Sequence, residues 1–171
     1  LAYHTAVEQF GPDDYFLVPP LFRDALAALP APPAPPPLVL IGRRDLRSNN
    51  SWMHNSQRLV KGPARCTLQL HPDDAARYAL QTGDRAEIRS RSGAVTAPVE
   101  VIDGILPGVV SLPHGWGHDR KGTRLGVAER HAGVSVNDLT DDTQIDAVCG
   151  TAVLNGVPVE LTRVEPRSTG S

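Results

Sequence analysis

Short segments in which apolar and polar residues alternate, separated by turn residues, dominate the sequence from residue 38 onward. The segment 65–70, for example, places Cys66, Leu68 and Leu70 on one face, as in a half-buried strand. Pairs such as Ser92-Gly93 and Asp103-Gly104 reverse the chain between such segments. The predicted strands are residues 38–41, 65–70, 85–91, 94–102 and 109–112, followed by a closing hairpin of 151–154 with 157–164. This spacing predicts a small all-β barrel or sandwich.

Helices are predicted to be few and short. One covers Leu21–Leu29, after a proline pair, with its apolar residues on one face. A second is expected to begin at the N-cap Ser51 and to end at Gly62-Pro63. A third begins at His71, with acidic residues in its first turn. Residues 113–148 show no clear periodicity, and a polar connection of that length in a compact domain is usually functional.

The distribution of proline divides the chain into three parts. Residues 30–37 contain six prolines in eight positions, which favours a stiff polyproline spacer. We therefore expect residues 1–37 to form an N-terminal arm with a short helix and that spacer, residues 38–165 to form the β domain, and residues 166–171 to form a tail. The apolar face of the arm helix predicts packing against something outside the barrel, such as a preceding domain.

Composition excludes several classes of function. A length of 171 residues with 40% hydrophobic residues suffices for one core. A net charge of -2 argues against a general nucleic-acid or membrane-surface binder. No segment approaches the about 20 apolar residues of a membrane span and no signal peptide is evident, so a cytoplasmic location is expected, although the start at Leu1 leaves room for a longer chain. Cys66 and Cys149 are too few for a disulfide framework and are expected in the core.

Positive charge is concentrated just after the first predicted strand. Between Arg43 and Arg65 there are six basic residues and one acid, Asp45, whereas the rest of the chain is acidic. Arginine forks bind phosphates, asparagine amides bind heterocycle edges, and tryptophan offers a stacking face. The segment therefore predicts a ligand that is an anion with flat, hydrogen-bonding groups.

Three polar segments follow predicted strand ends, where ligand-binding groups are common. They are Gly42–Asn55, Pro113–His118 and Val136–Thr140. In the second, glycines alternate with large rings and allow close backbone approach to a ligand, although a surface loop with a buried Trp116 fits the same pattern. Asn137 caps a turn or, with the arginine and asparagine cluster, reads the edge of a heterocycle.

Other chemistries find little support. His114 and His118 could share a metal only on a helix, which the glycines between them disfavour, so no metal site is predicted. Ser51, His54 and Asp138 could be arranged as a hydrolase triad, but no nucleophile elbow is present and no catalytic residue is assigned. The common glycine-rich nucleotide-binding loops are also absent from the sequence.

The order of several short motifs resembles a known family. They are the strand ending in Gly42-Arg43, SWMHN at residues 51–55, HPDDA at 71–75, GD at 83–84, SRSG at 90–93, PG at 107–108, the His/Trp loop, and N-x-L-T at 137–140 with Asp146 and Gly150 beyond. This pattern, over Leu38 to Val164, is similar to the molybdopterin dinucleotide-binding domain at the C-terminus of molybdenum and tungsten oxidoreductases, such as formate dehydrogenases, nitrate reductases and dimethyl sulfoxide reductase. Ala147 and Cys149 depart from it, because the family often has Pro and Ser there.

The resemblance implies a mainly β fold, a six-stranded double-psi β-barrel with a few short helices. It implies binding of molybdopterin guanine dinucleotide, usually two copies per metal, with the Mo or W ion held by preceding domains of a formate dehydrogenase-like parent. Those domains would be the partners, with no nucleic acid and no membrane, and the isolated chain would be non-catalytic. Together with the local chemistry, it gives the cofactor-binding candidates Gly42, Arg43, Arg47, Asn50, Trp52, His54, Asn55, His114, Trp116 and Asn137.

Two alternatives belong to other classes. A double-psi barrel can also serve as a recognition module for a protein or small molecule, with no redox role. Such a module would account for the arm and the spacer but not for the clustered Trp, His and Asn residues. A basic nucleic-acid patch over Arg43–Arg65 would bind with a steep salt dependence.

Overall fold

A computed structural model describes residues 20–29, 34 and 36–165. These residues divide into two units. The larger unit, from residue 36 to 145 and from 152 to 165, carries the β-sheet, and the smaller one contains helix α1 (Pro20–Ala27) and the loop Asp146–Thr151. Most of the expected proline spacer and the expected tail 166–171 lie outside the described residues.

The larger unit is built on seven strands and three short α-helices. In chain order they are β1 (Val39–Arg43), α2 (Gln57–Val60), β2 (Leu68–Leu70), α3 (Pro72–Arg77), β3 (Arg85–Arg89), β4 (Ala94–Val101), β5 (Val109–Pro113), α4 (Gly126–Arg130), β6 (Val157–Pro158) and β7 (Glu160–Val164). A 3₁₀ helix, Val136–Asp138, lies between α4 and β6. The prediction of a mainly β fold with a few short helices is confirmed.

The strands form one mixed sheet in the order β6-β1-β5-β2-β4-β3-β7. Two pairs are parallel, β1 with β5 and β2 with β4, and the other pairs are antiparallel. The two parallel crossovers are consistent with the double-psi architecture. One consequence for the site is that the C-terminal ends of β1 and β5 lie side by side, with Arg43 opposite Pro113.

The two outer strands of this order, β6 and β7, are consecutive parts of one segment interrupted only at Val159. The segment pairs with β1 at its start and with β3 at its end. The sheet therefore curls until a single stretch of chain occupies both of its edges. The resemblance implied a six-stranded barrel, and the observed count is seven because this last stretch is divided into β6 and β7.

The core fills the inside of the curled sheet. Its residues come from the alternate positions along each strand whose side chains point inward. Along β3, Ala86 and Ile88 are buried between exposed arginines. Leu40, Leu68 and Leu112 from three other strands are at most 1% exposed. Each buried leucine contributes about 1.5–3 kcal/mol of transfer free energy, so this apolar cluster is the main source of the stability that holds the loops above it.

The helices agree only in part with the sequence prediction. Helix α3 begins as predicted, since His71 accepts a hydrogen bond from the Asp73 N–H through Nδ1 at 3.1 Å. The helix expected from Ser51 begins six residues later, at Gln57. Residues 51–56 form tight turns instead, in which the His54 N–H donates to the Ser51 carbonyl at 3.1 Å and the Ser56 N–H donates to the Met53 carbonyl at 3.2 Å.

The predicted closing hairpin of 151–154 with 157–164 is wrong. The turn itself is present, with Gly156 at a φ of 76°. Its backbone N–H, however, donates to the Leu40 carbonyl at 2.9 Å, and residues 157–158 pair with β1. Ala152 pairs with Ile145 instead. Docking on β1 buries Val157 and Val159 against the core, which a free hairpin could not do.

In the smaller unit, α1 confirms the predicted arm helix. Its residues Leu21, Phe22 and Leu26 are at least half exposed. In the loop Asp146–Thr151, the Asp146 carboxylate accepts from the backbone N–H groups of Val148 and Cys149 at 2.9 and 2.8 Å. Cys149 is exposed, so its expected place in the core is wrong, whereas that of Cys66 is confirmed. Among the described residues, no helix is long and apolar enough to cross a membrane.

Candidate functional site

Three polar loops meet at the end of the sheet where β1 and β5 finish. The His114 N–H donates to the Arg43 carbonyl at 2.9 Å, which ties the loop after β5 to the end of β1. Gly115 then passes so close to the turn 49–51 that a Cβ on it would lie 2.1 Å from the Asn50 carbonyl oxygen. Only glycine fits there, and the contact fixes the spacing between the first two polar segments.

A cavity of about 160 Å³ lies where these loops join the third polar segment. Its wall contains four of the predicted cofactor-binding residues, Gly42, Arg43, His114 and Asn137, together with Arg44, Val136, Thr140, Leu154 and Asn155. Asn137 is exposed. We call this space the amide cavity, because side-chain amides of two loops face it with a glycine and basic residues.

Asn155 is a functional candidate that the sequence interpretation missed. Its Oδ1 accepts from the Gly42 N–H at 2.8 Å and orients the end of β1. The Asn-Gly pair at 155–156 was interpreted only as a hairpin turn. A ligand-facing role cannot be recognised from the sequence at such a position, since asparagine is common in turns regardless of any ligand.

Arg43 lines the amide cavity, but its guanidinium is turned into the protein. One nitrogen donates to the Ser111 carbonyl at 2.6 Å, and the other donates to the carbonyl and hydroxyl of Thr67 at 2.7 and 2.9 Å. Burial lowers the pKa of Arg43, and the nearby Glu100 carboxylate opposes that shift. The side chain therefore braces β5 against β2, and its fork is already occupied by protein oxygens.

His54 and Trp116 form a buried layer beside the loops. His54 is 0% exposed and stacks on the Trp116 indole, with ring centroids 4.0 Å apart. Its two ring nitrogens lie 2.7 Å from His118 Nε2 and 2.7 Å from Ser48 Oγ. Neither His54 nor Trp116 lines the amide cavity, so in this structure they support the loops rather than face that space.

This layer predicts a pH dependence of stability. Burial, reinforced by His118 and Arg65, lowers the pKa of His54 from 6.5 to about 4. Between these values the unfolded chain binds a proton that the folded chain does not, so the free energy of unfolding falls as pH decreases through that range. We expect a loss of about 2 kcal/mol between pH 7 and pH 5 from this residue.

Urea titrations of the wild-type chain and a His54→Gln variant at pH 7 and pH 5 measure this loss of unfolding free energy. The variant is less stable at pH 7 but should lose about 2 kcal/mol less than wild type on acidification. Equal losses in the two proteins would show that His54 does not carry the effect.

The remaining residues predicted to bind the cofactor lie outside the amide cavity. Asn55 accepts from the backbone N–H groups of Val127 and Ala128 at 3.0 and 3.2 Å, and so caps the start of α4. Asn50 accepts a hydrogen bond from Arg44, Arg47 is exposed, and Trp52 is 83% exposed. Among the described residues, no group of three or more His, Cys, Asp or Glu side chains could hold a metal ion.

The fold and this site define a small mainly β domain with polar loops gathered around a cavity at the end of β1 and β5. Residues 38–158 match the family model of the molydopterin dinucleotide binding domain, and the chain belongs to that family. The resemblance seen in the sequence is therefore confirmed at the level of the domain, and the family implies a molybdopterin cofactor.

Comparisons with individual proteins agree with this family assignment. The chain is 35% identical over 114 residues to a tetrathionate reductase subunit from Salmonella typhimurium, covering 57% of this chain and 11% of the relative. It is 26% identical over 159 residues to the dimethyl sulfoxide/trimethylamine N-oxide reductase of Rhodobacter capsulatus, covering 89% of this chain and 19% of that enzyme. Acetylene hydratase from Pelobacter acetylenicus has a similar fold, with a TM-score of 0.64 and 19% identity over 95% of this chain and 23% of that one. The chain thus spans less than a quarter of the length of each of these relatives.

Proposed function

We propose that this chain binds and shields molybdopterin guanine dinucleotide, in its bis form, as the C-terminal domain of a larger molybdenum or tungsten oxidoreductase. The observation that carries the proposal is the amide cavity, where Gly42 near the end of β1, His114 after β5 and Asn137 in the 3₁₀ helix line one space. The family match supplies the cofactor class, and the relatives' greater length supports the presence of further domains.

The residues of the cavity fit part of such a cofactor. An exposed amide at Asn137 can donate to and accept from the edge of a flat heterocycle, and Gly42 lets the ring approach the backbone. A space of about 160 Å³ admits one edge of the ligand rather than all of it. The other contacts then come from preceding domains, which would also hold the metal.

The role of this chain is to bind and orient the cofactor and to exclude water from it. When bound, the cofactor and its metal supply the electron-transfer and oxygen-atom chemistry. We propose that the isolated chain turns over no substrate. A formate dehydrogenase-like parent and a cytoplasmic location are also proposals, tested by substrate turnover of the longer polypeptide and by cell fractionation.

The proposed function predicts that Asn137→Ala lowers cofactor occupancy in the longer polypeptide. Losing one hydrogen-bonding side chain should reduce occupancy about fivefold under limiting cofactor. Gly42→Leu, which fills the cavity, should reduce it further. Occupancy is measured as molybdenum or tungsten per polypeptide and as guanine released by acid hydrolysis.

Gln81→Ala is the matched control, because Gln81 carries an exposed amide outside the amide cavity. It should leave metal and guanine content unchanged. Wild-type occupancy in both Asn137→Ala and Gly42→Leu would contradict the proposal, provided that both variants unfold at the wild-type temperature.

A further inference from the structure

A second and larger cavity lies on another part of the β domain. Its volume is about 420 Å³, and it is lined by the chain between α2 and β2, by residues of β3 and β4, by Trp116, and by the end of α4 with the chain that follows it. We call it the arginine cavity. It shares no lining residue with the amide cavity, so the proposed function does not account for it.

The charged side chains of the arginine cavity are all basic. Arg65, Arg85 and Arg130 line it together with His131, and no Asp or Glu among the described residues does. Arg65 has an acidic neighbour outside the lining, since its Nη1 lies 3.5 Å from Asp45 Oδ1. Within the part of the chain that the structure describes, neither Arg85 nor Arg130 has an ion pair. Two arginines thus line one concave space that no described carboxylate lines, and the Arg85 guanidinium donates to the carbonyl of Thr96, another lining residue, at 3.1 Å.

An apolar surface completes the cavity. Trp116, Val60 and Pro98 contribute to its wall. The Trp116 Nε1–H is buried and has no hydrogen-bond acceptor among the described residues. An unpaired buried donor is costly, and such groups are uncommon in folded proteins. Burial also raises the pKa of the Cys66 thiol, so Cys66 adds no negative charge to the wall.

The walls are held close together by the chain after α4. A Cβ on Gly133 would lie 2.8 Å from Cys66 Sγ and 3.0 Å from the Trp116 Cβ, and its φ of 61° favours glycine. This contact seats residues 132–134 against Cys66 and Trp116. The cavity is therefore preformed, as small-molecule sites generally are.

We propose that the arginine cavity binds a small organic anion, with a carboxylate or phosphate group between the arginines and a flat apolar body against Trp116. Guanidinium groups recognise oxyanions through forked hydrogen bonds, and the apolar wall of Trp116, Val60 and Pro98 favours a flat apolar body. The volume lies in the range of small-molecule sites. This site is separate from the amide cavity, and anion binding in it does not depend on whether the amide cavity is occupied.

The test uses the full 171-residue chain and phenyl phosphate as the probe. Calorimetry should show saturable binding in the millimolar range or tighter, with weaker binding of inorganic phosphate and of uncharged phenol. Benzoate tests whether the site prefers a carboxylate. The chain has two tryptophans, so in a Trp52→Phe background Trp116 alone reports the binding by its fluorescence.

Arg85→Gln and Arg130→Gln should each weaken phenyl phosphate binding about tenfold, the loss expected for one charge-assisted hydrogen bond. Arg58→Gln is the matched control, since Arg58 is exposed and outside the lining, and it should bind as wild type. Asn137→Ala should also leave the affinity unchanged. No saturable binding, or equal losses in Arg58→Gln and Arg130→Gln, would overturn the proposal.

Discussion

Replacing Gly115 with alanine should unfold the site and cost the domain at least about 3 kcal/mol of stability. The added methyl group would lie 2.1 Å from the carbonyl oxygen of Asn50, and this neighbour is backbone that no rotamer change can move. The φ of 93° adds a second penalty. To relieve the clash, the loop after β5 must separate from the turn 49–51, which removes His118 from His54.

Variants at two other glycines distinguish the steric clash at Gly115 from the cost of its positive φ. Gly122 has a φ of 97°, but no described atom lies within 4 Å of the position that a methyl group would take, so Gly122→Ala should cost only about 1 kcal/mol, from backbone strain alone. Gly104 has neither positive φ nor a close neighbour among the described residues, and Gly104→Ala should be neutral. Urea titrations followed by tryptophan emission measure all three variants. A Gly115→Ala variant no less stable than Gly122→Ala would show that the loops are not in contact.

Arg43→Met should be the most damaging single change at the end of β1. It removes the donors that satisfy the Thr67 and Ser111 carbonyls and leaves Glu100 without its nearby positive charge. Breaking a partly buried charged network of this kind costs about 3–5 kcal/mol. We therefore expect a large decrease in the urea midpoint, whether or not any cofactor is present.

The adjacent Arg44→Met provides the comparison. Arg44 is exposed and bonds only to the Asn50 side chain among the described residues, so its loss should cost less than about 1 kcal/mol. Comparing the two variants distinguishes the loss of a structural arginine from the loss of a surface arginine at the next position in the chain. Equal stability of the two variants would contradict the bracing role of Arg43.

The strands were predictable because their signal is local. Alternation along 85–89 and 94–101, with a turn between them, leaves little choice of register. The pairing of 157–158 with β1 was not predictable, since it depends on a core surface more than a hundred residues away in the chain. The late start of α2 was missed because Ser51 is a good N-cap residue type, whereas residues 51–56 form tight turns and the observed N-cap is Ser56.

The convergence of the first two polar loops was also predictable, because β1 and β5 end at a common edge of the sheet, whereas the third loop, which contains the 3₁₀ helix, does not follow a strand. The direction of individual side chains was not predictable. The sequence makes both Arg43 and Trp52 ligand-binding candidates, yet the first is bonded inside the sheet and the second is 83% exposed. The cofactor-binding roles of the individual residues thus stay predictions.

The single stretch at residues 157–164 that occupies both sheet edges has a consequence for biosynthesis. Strand β1 emerges from the ribosome more than a hundred residues before its neighbour β6, and β3 precedes its neighbour β7 by more than seventy residues. Pairings of such high contact order form slowly. Nascent chains should therefore stay protease-sensitive until translation has passed residue 164, and any insertion of cofactor into this domain must follow the synthesis of that stretch.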